Sequence, residues 1–258
     1  MPELPEVETV CRELQKSLIG NKFTQIITLR DKIREVIPDL SGLEGAKITA
    51  VERRAKYIII NGKLIIHLGM SGTIAIGAPK ERKKHDHVVF ELSNGEEMVF
   101  NDPRRFGLVT LYNDKYFAAL APEPLTPEFN AKYLAKTLKN RKTPIKTAIM
   151  DQTLVVGVGN IYASEALFRS RINPTTPANK VKNHALLINN IKQVLEEAIE
   201  SGGSTLRDYV RSSGNLGYFQ HHHNVYGREG KPCIVCKTTI AKITQAGRSS
   251  FYCPTCQR

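Results

Sequence analysis

Four cysteines near the end of the chain constrain its fold more than any other feature. Cys233 and Cys236 are separated by two residues, sixteen residues follow, and Cys253 and Cys256 repeat the short spacing. Each Cys-x2-Cys closes a tight turn that presents two thiolates to one ion, and the doubled spacing marks a four-cysteine zinc site. Residues 240–244 and 249–252 read as strands around a turn through Gln245, Ala246 and Gly247, so the spacer runs out and back as a hairpin. Strands this short bury little apolar surface, and the metal supplies the missing folding energy. One structural Zn2+ is expected, with sulfur at all four positions and none open for a catalytic water. From residue 228 onward six Lys or Arg (228, 231, 237, 242, 248 and 258) accompany a single acid, Glu229. Arg248, beside the hairpin tip, suits a phosphate contact. A solvated charged face would give the same pattern.

Charge extends that theme to the whole chain. Its 258 residues carry 37 Lys and Arg against 25 Asp and Glu, a formal net charge of +12. Such a surplus attracts polyanions, nucleic acid above all. No apolar run approaches a membrane span, and no basic start precedes an apolar stretch. Residence in the cytosol, at the nucleoid, is the expectation, and reduced thiols there argue for metal over disulfides.

Hydrophobic periodicity divides the chain. Residues 5–19 place Val7, Val10, Cys11, Leu14 and Leu18 on one helical face, with Gly20 as a stop and Cys11 as a core residue. Strands are predicted over 47–51, 56–60, 63–68, 88–92, 97–101 and 108–112. Asn61-Gly62 and Asn94-Gly95 supply hairpin turns. A β-sandwich with an N-terminal helix accounts for residues 1–120. Three prolines in 121–127 break the pattern, and helices are predicted over 128–139, 144–150, 160–169 and 184–200, the last ended by Gly202-Gly203. The fold class is α+β multidomain, with a helical domain over 121–220 and the zinc finger over 221–258.

Pro2 and Glu3 stand just before the first helix. Removal of the initiator Met leaves Pro2 a free secondary amine, which titrates near 7.7–8, well below lysine. The positive end of the following helix lowers it further. Such an amine can attack a sugar carbon and form an iminium intermediate. Met-Pro is also a common start, so these two residues alone leave the matter open.

Motifs along the whole chain narrow the choice. Met-Pro-Glu-Leu-Pro-Glu-Val-Glu-Thr at the start resembles the opening of the formamidopyrimidine-DNA glycosylases. Arg53-Arg-Ala-Lys-Tyr57, His67-Leu-Gly-Met-Ser-Gly72, Lys84-His-Asp-His87 and Asp102-Pro-Arg-Arg-Phe-Gly107 are similar to that family's first-domain motifs, in order. Pro122-Glu-Pro-Leu125, Ile145-Lys146, Gly157-Val-Gly-Asn-Ile-Tyr162, Gly202-Gly-Ser-Thr-Leu206, Val225-Tyr-Gly227 and the four cysteines continue the series. The resemblance implies a β-sandwich, a helical domain with a helix–two-turn–helix element, and a zinc finger. It implies base-excision repair: removal of 8-oxoguanine and ring-opened purines from duplex DNA, then β,δ-elimination at the abasic site.

By motif position, the resemblance makes Pro2 the nucleophile at C1′ and Glu3 the general acid/base. Glu6 is a supporting carboxylate or simply a helix-dipole partner. Lys56 matches a lysine with a proton-transfer role in the elimination, and Arg248 one that reaches the lesion phosphates and assists δ-elimination. A base acted on inside a duplex must be flipped out. Met70, Arg104 and Phe106 would fill the hole, Arg104 meeting the orphaned cytosine and Phe106 wedging between bases. His67, His85, Arg141 and Asn160 would grip phosphates, and Lys146 matches a lysine close to the lesion. Residues 213–220 fall where the family's lesion-capping loop lies. His221-His-His223 reads as part of a loop beside the lesion pocket, since three consecutive histidines converge poorly on one metal. Leu4 favours the purine branch over endonuclease VIII-type enzymes for oxidised pyrimidines, which usually have glycine there. A non-catalytic zinc-finger DNA-binding protein would share the charge and the zinc but leave Pro2 and Glu3 unexplained. A monomer is expected.

Overall fold

The structure is a computed structural model in which residues 2–203 and 223–258 are described. The expectations for 213–220, His221 and His222 lie outside the described residues. The chain forms two compact units. One runs as far as Asp114 and includes 201–203, while the other comprises Lys115–Glu200 with residues 223–258.

The first unit opens with α1 (Leu4–Leu18), which buries Val7, Val10, Cys11, Leu14 and Leu18 as the periodicity predicts. Eight strands follow: β1 (Phe23–Thr28), β2 (Val51–Arg54), β3 (Tyr57–Ile60), β4 (Leu64–His67), β5 (Thr73–Gly77), β6 (Asp86–Leu92), β7 (Glu97–Asn101) and β8 (Leu108–Leu111). They form two antiparallel four-stranded sheets, ordered β1-β6-β7-β5 and β2-β3-β4-β8. Ile58, Ile60, Leu64 and Ile66 from one sheet share a core with Val88, Phe90, Met98 and Phe100 from the other. Burying each such side chain contributes about 1.5–3 kcal/mol relative to exposure. The Asn61-Gly62 hairpin forms as expected, both residues having positive φ (52° and 63°).

Three sequence expectations need correction. The strand predicted over 47–51 instead occupies Val51–Arg54, while Lys47 makes only an isolated bridge to Lys22. Strands β1 and β5 were not foreseen. The burial of β1 does not alternate, because only Phe23 is fully buried, and β5 lies in a glycine-rich stretch that hides its short apolar alternation.

The second unit contains α2 (Ala131–Leu138), α3 (Ile145–Ile149), α4 (Asn160–Arg169) and α5 (His184–Glu200), then β9 (Ala241–Gln245) and β10 (Arg248–Tyr252). Helix α2 starts later than the predicted 128 because Asn130 caps it, its side chain accepting from the Tyr133 N–H at 3.0 Å. Helix α5 buries Leu187, Ile191, Val194, Leu195 and Ala198, the face read from the sequence. Arg169 makes a two-pronged ion pair with Glu197, joining α4 to α5. The finger hairpin turns through two residues, Ala246 (φ 47°) and Gly247 (φ 72°), so Gln245 and Arg248 pair as the ends of their strands. Among the described residues, no helix is long and apolar enough to cross a membrane.

Candidate active site and nucleic-acid contacts

In the first unit, Pro2 and Glu3 are buried at the N-terminal end of α1, where Glu3 is the N-cap residue. The Glu3 N–H donates to Glu6 Oε2 at 2.8 Å, so buried Glu6 fixes the backbone carrying both candidate catalytic groups. Gly203 packs against the same carboxylate: a Cβ there would lie 3.1 Å from Glu6 Oε1, and its φ of +80° favours glycine. One member of the Gly202-Gly203 pair therefore supports Glu6, beyond the helix stop expected of it.

Lys56 is buried in the two-residue turn between β2 and β3, next to Ala55, whose φ of 53° is unusual for a residue with a side chain. Arg53 holds that turn, its Nη1 donating to the Ala55 carbonyl (2.9 Å) and its Nε to Glu8 Oε2 on α1 (2.7 Å). Glu8 also accepts from Arg12. Burial pushes the Glu8 carboxyl up, but the two arginines outweigh it and hold the group below its usual value. This Glu8–Arg53 link ties the helix of Pro2 and Glu3 to the Lys56 turn.

His67 ends β4 directly across from Tyr57, their ring centroids 4.8 Å apart. Burial, reinforced by the positive charges of Lys56 and Arg34, lowers its pKa to about 4. The ring is neutral at pH 7. Its Nδ1 accepts from the Gly69 N–H at 2.9 Å, leaving Nε2 as the N–H donor for an anion.

The three candidate void-filling residues are carried on two touching loops. A Cβ on Gly69 would lie only 2.4 Å from the Phe106 carbonyl carbon, so the loops bearing Met70 and Phe106 meet backbone to backbone. Arg104 lies over the Phe106 ring, its guanidinium carbon 5.4 Å from the centroid, and Phe106 is 48% exposed. Arg105 between them has a positive φ of 57°, a strained conformation for a residue with a side chain, and Arg104, Arg105 and Phe106 are all exposed. His85 is partly exposed just before β6, its carbonyl accepting from the Asp102 N–H.

In the second unit, Arg141, Thr143, Lys146, Gln245 and Arg248 line a cleft of about 360 Å3. Arg141 pairs with Asp151 at 2.6 Å, and Arg248 is exposed. Burial would raise the Asp151 carboxyl, but Arg141 and the Thr153 donors outweigh it and keep it low. Lys146 is buried and directs its ammonium inward, to Asn160 Oδ1 (2.6 Å), Ser250 Oγ (2.7 Å) and the Ser249 carbonyl (2.9 Å). It thus ties the start of α4 to β10 instead of presenting a surface charge. Asn160, the first residue of α4, also donates Nδ2 to the Ser249 carbonyl at 3.0 Å.

The four cysteine sulfurs lie within 4.8 Å of one another, with 4.0 Å between Cys233 and Cys256 and 3.4 Å between Cys236 and Cys253. A tetrahedral ion with Zn–S near 2.3 Å requires sulfurs roughly 3.8 Å apart. The Val235 and Cys256 N–H groups donate to the Cys233 and Cys253 sulfurs at 3.4 Å, which favours thiolates. The set fits one structural zinc. Among the described residues no other such cluster occurs.

Sequence reasoning assigned no role to Glu8, Asp151 or Glu165. Glu165, fully buried in α4, accepts from Asn224 N and Nδ2, Val225 N and Tyr226 N at 2.9–3.0 Å, anchoring the approach to the finger. A carboxylate inside an otherwise apolar helix face was the available signal.

Comparison with known proteins places these features in context. Residues 1–109 match the formamidopyrimidine-DNA glycosylase N-terminal domain, 120–210 the H2TH domain of the same glycosylase, and 230–258 a zinc finger found in FPG and IleRS. Proteins named formamidopyrimidine-DNA glycosylase from Ruegeria sp. (strain TM1040) and Neisseria meningitidis are each 44% identical, with all of both chains covered. The crystal structure of MutM (Fpg) from Thermus thermophilus superposes with a TM-score of 0.89 at 38% identity, covering 99% of this chain and 98% of that one. A Lactococcus lactis FPG mutant in complex with Fapy-dG-containing DNA gives a TM-score of 0.92 at 35% identity over the whole of both chains. Wild-type Lactococcus lactis FPG in complex with oxidised-pyrimidine-containing DNA gives 0.91 at 34% over the whole of both chains.

Proposed function

The chain belongs to the formamidopyrimidine-DNA glycosylase family, and from that membership we propose that it excises oxidised purines from duplex DNA and cleaves the backbone at the resulting abasic site. The observation carrying this reading is the buried Pro2–Glu3 pair at the N-terminal end of α1, with Glu6 holding its backbone. With Met1 removed, the Pro2 nitrogen attacks C1′, the C1′–N bond breaks, and the base leaves with a proton. Glu3 protonates the sugar oxygen as the ring opens, giving an iminium between Pro2 and C1′. Lys56 serves the proton transfers of β-elimination, and Arg248 assists δ-elimination at the second phosphate. Hydrolysis of the iminium returns the free amine.

Met70, Arg104 and Phe106 occupy the space the flipped nucleotide leaves. His67, His85, Arg141 and Asn160 bind the phosphate backbone, His67 through its Nε2–H and Asn160 from the positive end of α4. Lys146 lies near the lesion and acts through Asn160 and the finger hairpin. Cys233, Cys236, Cys253 and Cys256 hold the zinc, which makes the hairpin a rigid mount for Arg248. The division into 1–120, 121–220 and 221–258 is supported by the matched regions 1–109, 120–210 and 230–258. A monomer in the cytoplasm, at the nucleoid, completes the proposal.

Oxidised pyrimidines form the second reading, favoured by the Lactococcus lactis relative bound to oxidised-pyrimidine DNA. One experiment tests both. The protein is incubated with duplexes carrying 8-oxoguanine or an oxidised pyrimidine, with borohydride to reduce any iminium to a stable crosslink. Crosslinking and nicking are expected with wild type, strongest on the purine lesion. Pro2→Gly should severely weaken trapping, and Glu3→Gln should abolish base excision. DNA binding without crosslinking or nicking by wild type would sink the enzyme reading, leaving a zinc-finger DNA-binding protein.

A further inference from the structure

Asp102 is a fully buried acidic residue with no part in the chemistry described above. Its carboxylate lies between the two loops that bear Met70, Arg104 and Phe106. Oδ1 accepts from Ser71 Oγ at 2.6 Å and from the Arg104 N–H at 3.2 Å, while Oδ2 accepts from the Gly107 N–H at 2.7 Å. Ser71 follows Met70, Arg104 is itself a candidate void-filler, and Gly107 follows Phe106. One carboxylate thus bonds at or beside each of the three residues. Its own backbone is held as well, the N–H donating to the His85 carbonyl at 3.0 Å and the carbonyl facing His87 Nε2 at 2.8 Å.

We propose that Asp102 is the positioning residue of lesion recognition, locking Met70, Arg104 and Phe106 into a single rigid wedge that enters DNA as a unit. The proposal rests on the glycosylase reading. Rigidity matters because a wedge ordered in advance loses little conformational entropy on insertion. It also lets Arg104 meet the base opposite the lesion in one defined orientation. The neighbouring glycines allow the same closeness: a Cβ on Gly107 would lie 3.0 Å from Asp102 Oδ2 and 2.9 Å from the His67 carbonyl oxygen.

Charge and acceptor number are both needed. Ser71 Oγ–H, Arg104 N–H and Gly107 N–H are all donors, so a carboxylate satisfies them on both oxygens. An asparagine would present its NH2 to a donor in either orientation. Asp102→Asn should therefore loosen at least one loop while keeping the volume.

The test has two readings. In single-turnover excision opposite cytosine or adenine, Asp102→Asn should lower the preference for cytosine roughly tenfold or more, the scale of one lost charge-assisted bond. In a background lacking all three wedge side chains (Met70→Ala, Arg104→Ala and Phe106→Ala together) the same substitution should cost less than about twofold in rate, because its effect passes through the wedge. Insertion is read separately, from a fluorescent base beside a stable abasic analogue, and Asp102→Asn should reduce the signal. Equal rate losses in both backgrounds, with cytosine preference and insertion intact, would overturn the proposal. Ser71→Ala removes one tie and should reproduce the defect more mildly if Asp102→Asn fails to fold. Because insertion involves no chemistry, it judges Asp102 even if wild type fails to excise, an outcome that would remove the glycosylase reading alone.

Discussion

Replacing Lys146 with methionine removes a buried ammonium while keeping most of its volume. In the native chain the ammonium bonds to Asn160 Oδ1, Ser250 Oγ and the Ser249 carbonyl at 2.6, 2.7 and 2.9 Å. A hydrogen bond to a charged group contributes about 1.5–3 kcal/mol net, so three summed naively would give roughly 4.5–9 kcal/mol. That sum overshoots. The Asn160 Nδ2 bond to the Ser249 carbonyl survives, and the methionine recovers apolar contact and avoids the cost of desolvating an ammonium. A loss of about 3 kcal/mol is expected, at the low end for a broken buried charge network. For the helical and zinc-bearing unit this corresponds to a fall in melting temperature on the order of 10 °C, read by thermal unfolding of zinc-loaded protein. Functionally, the substitution releases the strand that begins at Arg248, while Pro2 and Glu3 belong to the other compact unit. On abasic DNA the ratio of δ- to β-elimination product should fall, with borohydride trapping retained. An unchanged melting temperature together with an unchanged product ratio would refute the reasoning.

Three further outcomes follow from the same geometry. Gly69→Ala forces a Cβ to within 2.4–2.6 Å of Phe106 and Gly107 backbone at a φ of +61°; a loss of about 2–4 kcal/mol is expected from overpacking and strain, measured by urea denaturation. His67 is held neutral with a folded pKa of about 4 against an ordinary 6.5, so the unfolded chain binds the extra proton first as pH falls. Its contribution is fully present above pH 6.5 and is lost towards pH 4, about 3 kcal/mol in all; a His67→Gln variant that keeps the same slope of stability against pH in this window would exclude that residue as the cause. Stripping zinc with a chelator should unfold the finger and cost DNA binding even with Pro2 and Glu3 intact, restored by added Zn2+; undiminished affinity by gel shift would mean that the finger contributes nothing to the grip.

Much of this protein was legible without coordinates because the relevant signals are local. The zinc set follows from spacing, α1 and α5 from apolar periodicity, and the hairpins at Asn61-Gly62 and Asn94-Gly95 from turn chemistry. Even errors such as 47–51 were of boundary and not of kind, while β1 and β5 were missed because their alternation is weak or embedded among glycines.

What the sequence could not assign is the partner of each buried charge. Lys146 reads as one more surface cation, yet its acceptors at Ser249 and Ser250 lie 103 and 104 residues downstream. Asp102 meets Ser71 across 31 residues, and Glu8 meets Arg53 across 45. A charge can be buried only where opposite charges or hydrogen-bond partners replace its water, and those partners come together only when sheets and helices pack. The four cysteines, by contrast, have one ligand chemistry and one spacing, which specified the zinc site before any fold was known. Tertiary structure decided the rest: which strand the finger presents, that Lys146 braces it from behind, and that Arg248 stands exposed at its start.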